Sequence, residues 1–289
     1  MDGVIVVNKP VGITSRDVVN IISKTFNTKK VGHTGTLDPL ATGVLVVCTG
    51  KATKLVEVLT SKEKEYIAEV TLGIKTDTLD ITGNILGEEN IKIDASTIDD
   101  ALKELVGSYE QEVPIYSAVK INGKKLYEYA RNGEEINLPK RMVEIKFLER
   151  ISDIEYIDGK TIFSIKTTVS KGTYIRSLVS DIAKKLNTIG VMSKLERIKQ
   201  GTFSIEDAYC LEDIQNGNYK LLSIEEALKY VKTVVLDDEM AFKVRNGVAV
   251  DNIYNEEMIL FKDNKNVLAL YKNDNGLLKA YKVFGGSIW

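Results

Sequence analysis

VGHTGTLDPLATGVL, residues 31–45, is the stretch around which the rest of this chain is read. It holds the only histidine of the protein, His33, and one acidic residue, Asp38, among glycines at 32, 35 and 43. Asp38 precedes Pro39 and is biased away from the α region toward an extended or turn conformation. Gly32, Gly35 and Gly43 permit backbone angles closed to other residues and let a second segment approach closely. The apolar run Val44-Leu45-Val46-Val47 reads as a buried strand. Together these features predict a loop that presents one carboxylate at the edge of a sheet. Most Asp residues in glycine-rich turns only satisfy backbone N–H groups, so the surrounding residues must decide whether this one does chemistry.

The chain has 289 residues, 44% apolar and 28% charged. That is enough for a domain of ordinary size and a smaller one, with the composition of a soluble globular protein. No apolar run approaches the ~20 residues of a membrane helix. Met1-Asp2-Gly3 leads into a strand without a basic segment and apolar h-region, so no secretory signal and a cytoplasmic location are expected. Cys48 and Cys210 are expected as two buried, reduced thiols. One histidine and no Cys-x-x-Cys exclude most zinc sites and the usual Ser-His or Cys-His nucleophile schemes. An enzyme built from this chain would rely on carboxylates, Tyr, Arg or Lys, with no metal.

The formal charge of −2 argues against a nucleic-acid partner, but the charge is unevenly distributed. Residues 160–200 hold nine Lys/Arg against Asp181 and Glu196, and residues 201–289 hold ten against fourteen Asp/Glu. Such asymmetry makes either a basic face on an acidic protein or an ordinary solvated surface.

In chain order, residues 3–10 read as a buried strand ending in a Lys9-Pro10 turn. Ser15 is expected to cap a helix over 16–26. A strand over 43–48 and a short helix over 51–59 follow. Gly50-Lys51 is no phosphate loop, because a Walker motif needs Gly where position 45 is Leu. Residues 64–73 alternate as a strand with Tyr66 near its start. Residues 75–83 form a polar turn in which Asp77 and Asp80 suit an Asx-turn cluster better than a glycosidase pair. A helix over 97–105 precedes a segment, 111–146, in which Lys120, Lys124, Lys125, Arg131, Lys140 and Arg141 interleave with Tyr116, Tyr127 and Tyr129. That mixture suits a surface that tracks a phosphate backbone and stacks bases. Strands over 143–151 and 161–169, a helix over 175–186 carrying Arg176, and a strand around 195–198 complete the larger domain. Beyond residue 233 the chain is strand-like and turn-rich, a small β domain.

Four blocks then coincide in order: Asn8-Lys9-Pro10-x-Gly12-x-Thr14-Ser15, Gly32-His33-Thr34-Gly35-Thr36-Leu37-Asp38-Pro39, the Lys-Glu-Tyr66 strand start, and Lys171-Gly172-Thr173-Tyr174-Ile175-Arg176. The chain closely resembles the bacterial tRNA pseudouridine-55 synthase (TruB) family over nearly its whole length. The resemblance implies an α+β fold: a central mixed, mainly antiparallel sheet flanked by helices and loops over 1–232, with an RNA-contacting insertion at about 111–142. A PUA-like RNA-binding domain is implied over 233–289. It implies isomerisation of one T-loop uridine without a cofactor, with Asp38 as the essential carboxylate, Arg176 as its partner and Tyr66 against the base. Whether Asp38 attacks C1′, attacks the base, or acts as a base at C2′ stays open. His33 would stack on the opened loop, Tyr174 and Leu195 would line the base pocket, Asp80 would be a polar contact and Lys9 would support the pocket near Tyr66. The implied partner is tRNA, held at its T-arm and acceptor end by a monomer that needs no protein partner.

Three other readings stand beside this one. A guide-RNA particle subunit would be expected to be longer and to carry a basic tail. An RNA chaperone would bind the tRNA elbow without chemistry. A glycoside hydrolase using Asp77 and Asp80 would need sugar-stacking Trp, and the single Trp is Trp289.

Overall fold

The runs Val4–Val7 and Val44–Val47 lie side by side, antiparallel, with Val6 opposite Val46. Both are apolar at every position because both faces of this sheet edge are covered. Ile5, Val7, Leu45 and Val47 point into the main core, while Val4, Val6, Val44 and Val46 point into a second core on the other face. Each such buried side chain contributes roughly 1.5–3 kcal/mol before chain entropy opposes it. The computed structural model describes residues 1–285, so Trp289 and the last residues of the small β domain lie outside the described residues.

The central sheet runs in the order Gly3–Lys9, Thr42–Thr49, Gly190–Gln200, Lys64–Leu72, Lys160–Val169, Lys140–Arg150, Gly107–Glu112. Its pairs are antiparallel except Thr42–Thr49 with Gly190–Gln200. That is the mixed, mainly antiparallel sheet the resemblance implied. The parallel pairing sets Arg197 against Gly43. Gly43 has φ +95°, and a Cβ there would meet the Arg197 carbonyl oxygen at 2.3 Å, so only glycine fits. The helix Ile175–Lys185 covers the main core with Ile175, Leu178, Val179 and Ile182.

Several local expectations shift. Thr14, not Ser15, caps the first helix, Ser15–Thr25, because Asp17 three residues on closes a capping box with it. Ser15 is released for another task, described below. The helix expected over 51–59 begins as a 3₁₀ turn, Gly50–Leu55, and becomes α-helical at Val56–Thr60. The basic, aromatic excursion proper is 113–139, since the flanking residues of the 111–142 segment pair in the sheet (Glu112 opposite Lys140). Within it, Asn122 and Gly123, both at positive φ, turn the hairpin of Lys120–Ile121 and Lys124–Lys125. A helix, Leu126–Arg131, follows. Only Cys48 of the two thiols is buried, with burial pushing it up to about 12. Cys210 is exposed, and its Sγ accepts the Asp213 N–H as a helix cap.

The C-terminal sheet runs Lys232–Val235, Met258–Lys262, Val267–Asp274, Leu277–Val283, Val250–Asp251. It also holds a helix, Asp238–Arg245, which the strand-like reading of this region does not anticipate. Its signals are present: Asp237 caps its start and Asn246-Gly247 follows its end. Leu260, Leu270 and Phe284 of this unit pack into the second core against Val4, Val6 and Val46.

Candidate active site

The motif loop is tied down at several points. Ser15 Oγ accepts the Leu37 N–H at 2.9 Å and donates to the Leu37 carbonyl at 3.1 Å, fixing the residue before Asp38 to the first helix. The Gly12 N–H donates to the Pro39 carbonyl at 2.8 Å. Lys9 is fully buried, and its ammonium donates to the carbonyls of Pro10, Ile13 and Pro39 at 2.8, 2.7 and 3.4 Å. Burial pushes Lys9 down to about 8, with the Asp38 charge opposing that shift. The Asn8–Ser15 and Gly32–Pro39 blocks therefore form one physical unit. Lys9 braces the backbone behind Asp38; it is not among the residues lining the cleft with Tyr66.

Asp38 opens into a cleft of about 440 Å³ and is the only acidic residue lining it among the described residues. Arg176 Nε lies 2.8 Å from Asp38 Oδ2, the arginine side chain 5% exposed and the aspartate 35%. Its other two nitrogens are also engaged: Nη1 donates to the Thr78 carbonyl at 2.9 Å and Nη2 to the Tyr116 carbonyl at 3.0 Å. Arg176 is aimed by its helix start, where Gln111 grips Tyr174 by accepting its N–H at 2.8 Å and donating to its carbonyl at 3.1 Å. Ser177 Oγ donates to the Glu112 carbonyl at 2.8 Å and locks the same turn. Asp38 Oδ1 has no hydrogen bond among the described residues.

Tyr66 and Leu195 wall the cleft, each mostly buried, and Tyr174 lines it too. Register explains the meeting: Arg197 pairs with Tyr66 in the sheet, and Leu195 lies two residues away on the same face. Asp38, Tyr66, Tyr174, Arg176 and Leu195 are thus brought together from four separate stretches.

Asp80 and His33 stand outside the cleft lining. Asp80 is buried behind Arg176, with Oδ2 4.0 Å from Nε. Its Oδ1 accepts from Thr78 Oγ1, the Thr82 N–H and Thr82 Oγ1 at 2.9, 3.0 and 2.6 Å. Asp77 accepts from the Asn84 backbone and side chain at 2.8 and 3.0 Å. Each carboxylate serves its own turn, as in an Asx cluster, and Asp80 buttresses Arg176. His33 Nδ1 accepts the Gly35 N–H at 3.3 Å, and burial, helped by the Arg16 and Arg197 charges, pushes its pKa down.

Sequence reasoning misses two buried cations of the cleft. Lys64, 7% exposed, donates to the Thr60 and Lys62 carbonyls at 3.0 and 2.7 Å. Arg197, 1% exposed, donates from Nε to the Val44 carbonyl at 2.6 Å and from Nη2 to the Gly35 carbonyl at 3.0 Å, clamping both ends of the Asp38 loop. Period-two spacing is the available signal, since Lys64 precedes Tyr66 by two and Arg197 follows Leu195 by two. Tyr116, Tyr127 and Lys171 also line the cleft.

A lone carboxylate, paired to a buried guanidinium and facing a cleft with aromatic and aliphatic walls, is the equipment of an enzyme that acts on a flat ring by acid–base or nucleophilic chemistry. The structure superposes on a chain of a Cbf5–Nop10–Gar1 complex with a TM-score of 0.73 and 26% identity, covering 99% of this chain and 86% of that one. Residues 23–175 match the TruB family pseudouridylate synthase N-terminal domain. The tRNA pseudouridine synthase B of Bacillus licheniformis is 42% identical over 98% of this chain and 97% of its own length. That of Bacillus subtilis strain 168 is 40% identical over the same shares. The chain belongs to the TruB pseudouridylate synthase family.

Proposed function

We propose that the protein is a tRNA pseudouridine synthase that isomerises the T-loop uridine at position 55. Its C1′–N1 bond breaks, the base turns within the cleft, and C1′ joins C5. The C5 hydrogen leaves as a proton and N1 gains one, so the atoms balance without a cofactor. The observation that carries this reading is the Asp38–Arg176 pair, 2.8 Å apart, which supplies the one acidic group of the cleft. Arg176 holds one oxygen and leaves the other for the substrate. Tyr66 and Leu195 sandwich the base, and Tyr174 borders it.

A uridine inside a folded loop must be flipped out to reach this cleft, at a cost of a few kcal/mol. The excursion 113–139 offsets that cost by contacting the T-arm. Lys124 stands 4.4 Å over the Tyr129 ring, and Lys125 and Arg131 lie 5.3 and 5.4 Å from the Tyr127 ring. Cations and rings in one surface suit a phosphate backbone with splayed bases. His33, beside the loop, stacks where the uridine leaves, and the C-terminal sheet acts as a PUA-like grip on the acceptor end. The protein works as a cytoplasmic monomer without a protein partner; no helix among the described residues is long and apolar enough to cross a membrane.

The test is conversion of an unmodified tRNA transcript, read by pseudouridine-specific chemical mapping, with wild type beside Asp38→Asn. Conversion at one T-loop uridine by wild type alone is the expected result. Binding by both proteins with conversion by neither would make it an RNA-folding factor instead.

A further inference from the structure

Three cations meet in the cleft that make no ion pair among the described residues. Lys64 and Arg197 are each more than nine-tenths buried, and neither makes an ion pair among the described residues. Lys171, exposed at the rim, also makes none there. Buried charges are ordinarily paired, because an uncompensated one is costly to desolvate. Burial pushes Lys64 down to about 8, and the charges that act on it, Arg197 and Lys171, are both positive and push the same way. The only acidic residue of the cleft, Asp38, is engaged by Arg176.

The geometry leaves donors for something else. Lys64 spends two hydrogen bonds on carbonyls and retains a third N–H. Arg197 uses Nε and Nη2 on the motif loop, while Nη1 makes no hydrogen bond among the described residues. The two side chains converge beside Gly35: a Cβ built there would lie 3.5 Å from Arg197 Nη1 and 3.7 Å from Lys64 Cε. Glycine at this position therefore keeps space open over both cations.

We propose that Lys64, Arg197 and Lys171 form an anion subsite that holds a backbone phosphodiester of the RNA next to the flipped uridine. The inference rests on the proposed reaction and adds to it. The phosphate supplies the missing negative charge for two buried cations. It fixes the sugar's position, so that C1′ and C2′ are set against Asp38 by the backbone as well as by the base. The two free oxygens of a phosphodiester serve the ammonium and the guanidinium together, and an RNA strand carries one such group at every linkage.

The test uses tRNA carrying a neutral methylphosphonate at either linkage flanking the target uridine, with binding measured in the Asp38→Asn background. One of the two neutral linkages is expected to weaken binding about tenfold, and to weaken it less than about twofold once Lys64→Met is added. Lys64→Met is also expected to lower the salt slope of binding by about one, with Lys64→Arg restoring it. Equal losses with and without Lys64→Met, at both linkages, would overturn the subsite. Should Lys64→Met not fold, the exposed Lys171→Met serves in its place, with the same two outcomes. A second measurement separates this idea from the assigned reaction. Inorganic phosphate, against chloride at equal ionic strength, is expected to raise the melting temperature of wild type more than that of the Lys64 or Lys171 variant. If wild type binds no tRNA, the proposed function fails while this comparison still decides the subsite, and an equal rise in both proteins would refute it.

Discussion

Asp38 and Arg176, 138 positions apart in the chain, form one ion pair 2.8 Å long, the arginine buried and the carboxylate open to the cleft. The asymmetry suits the chemistry. A guanidinium whose other nitrogens are held by the Thr78 and Tyr116 carbonyls does not move, so it fixes the carboxylate without covering it.

Arg176→Lys is expected to lower kcat by about 10²-fold, because a single ammonium cannot serve three acceptors in a planar fork and the carboxylate loses its orientation. Single-turnover conversion at saturating tRNA measures this. Retention of wild-type kcat would mean that only the charge matters.

Ser15→Ala removes both hydrogen bonds to Leu37 and leaves a buried backbone N–H unpaired. The expected cost is about 1–3 kcal/mol in urea denaturation. A fall in kcat larger than any rise in KM should accompany it, since the displaced group is the one preceding Asp38.

Lys9 gives the stability curve a sign. Its folded value of about 8 lies below the ordinary 10.5, with Asp38, Asp17 and Arg197 the charges around it. Between those values the unfolded chain holds the proton and the folded chain releases it, so stability rises with pH through that window; below about 8 both states are protonated and the slope vanishes. Compared with Lys9→Met, wild type should gain up to about 1.4 kcal/mol per pH unit from pH ~8 to ~10. Parallel denaturation curves for the two proteins across that range would contradict the assignment.

Neutralising Lys124, Lys125 and Arg131 together is expected to weaken tRNA binding and to reduce its salt slope by roughly two to three, about one for each phosphate that is no longer neutralised. Fluorescence anisotropy at 50–200 mM salt gives both quantities. An unchanged slope would show that the excursion is structural only.

Much of this is legible in the order of residues alone. The strands, the helix carrying Arg176 and the turn at Asn122-Gly123 follow from periodicity and local backbone preference, which act over a few residues. The motif resemblance points to the central pair and its walls, and the cleft gathers Asp38, Tyr66, Tyr174, Arg176 and Leu195. The small helix Asp238–Arg245 escapes a strand-like reading because its capping Asp and closing Asn-Gly are equally the punctuation of loops between strands. The cap expected at Ser15 falls to Thr14 for a subtler reason: the two residues are chemically alike, and only the reach of Asp17 selects between them.

The order of residues was enough for the family, whose resemblance implies the type of sheet, and for the carboxylate that the cleft presents, because motif spacing is a local property of the chain. Which side chains share the cleft was left to the fold. It moved Asp80 and Lys9 behind Arg176 and Asp38 as braces. It also brought Lys64 and Arg197 in beside them as buried cations that make no ion pair among the described residues. Those placements depend on the register that sets Arg197 against Tyr66 on one side and Gly43 on the other. A one-residue slip of either strand would turn its own cation to the opposite face, and register is settled by the packing of the whole sheet.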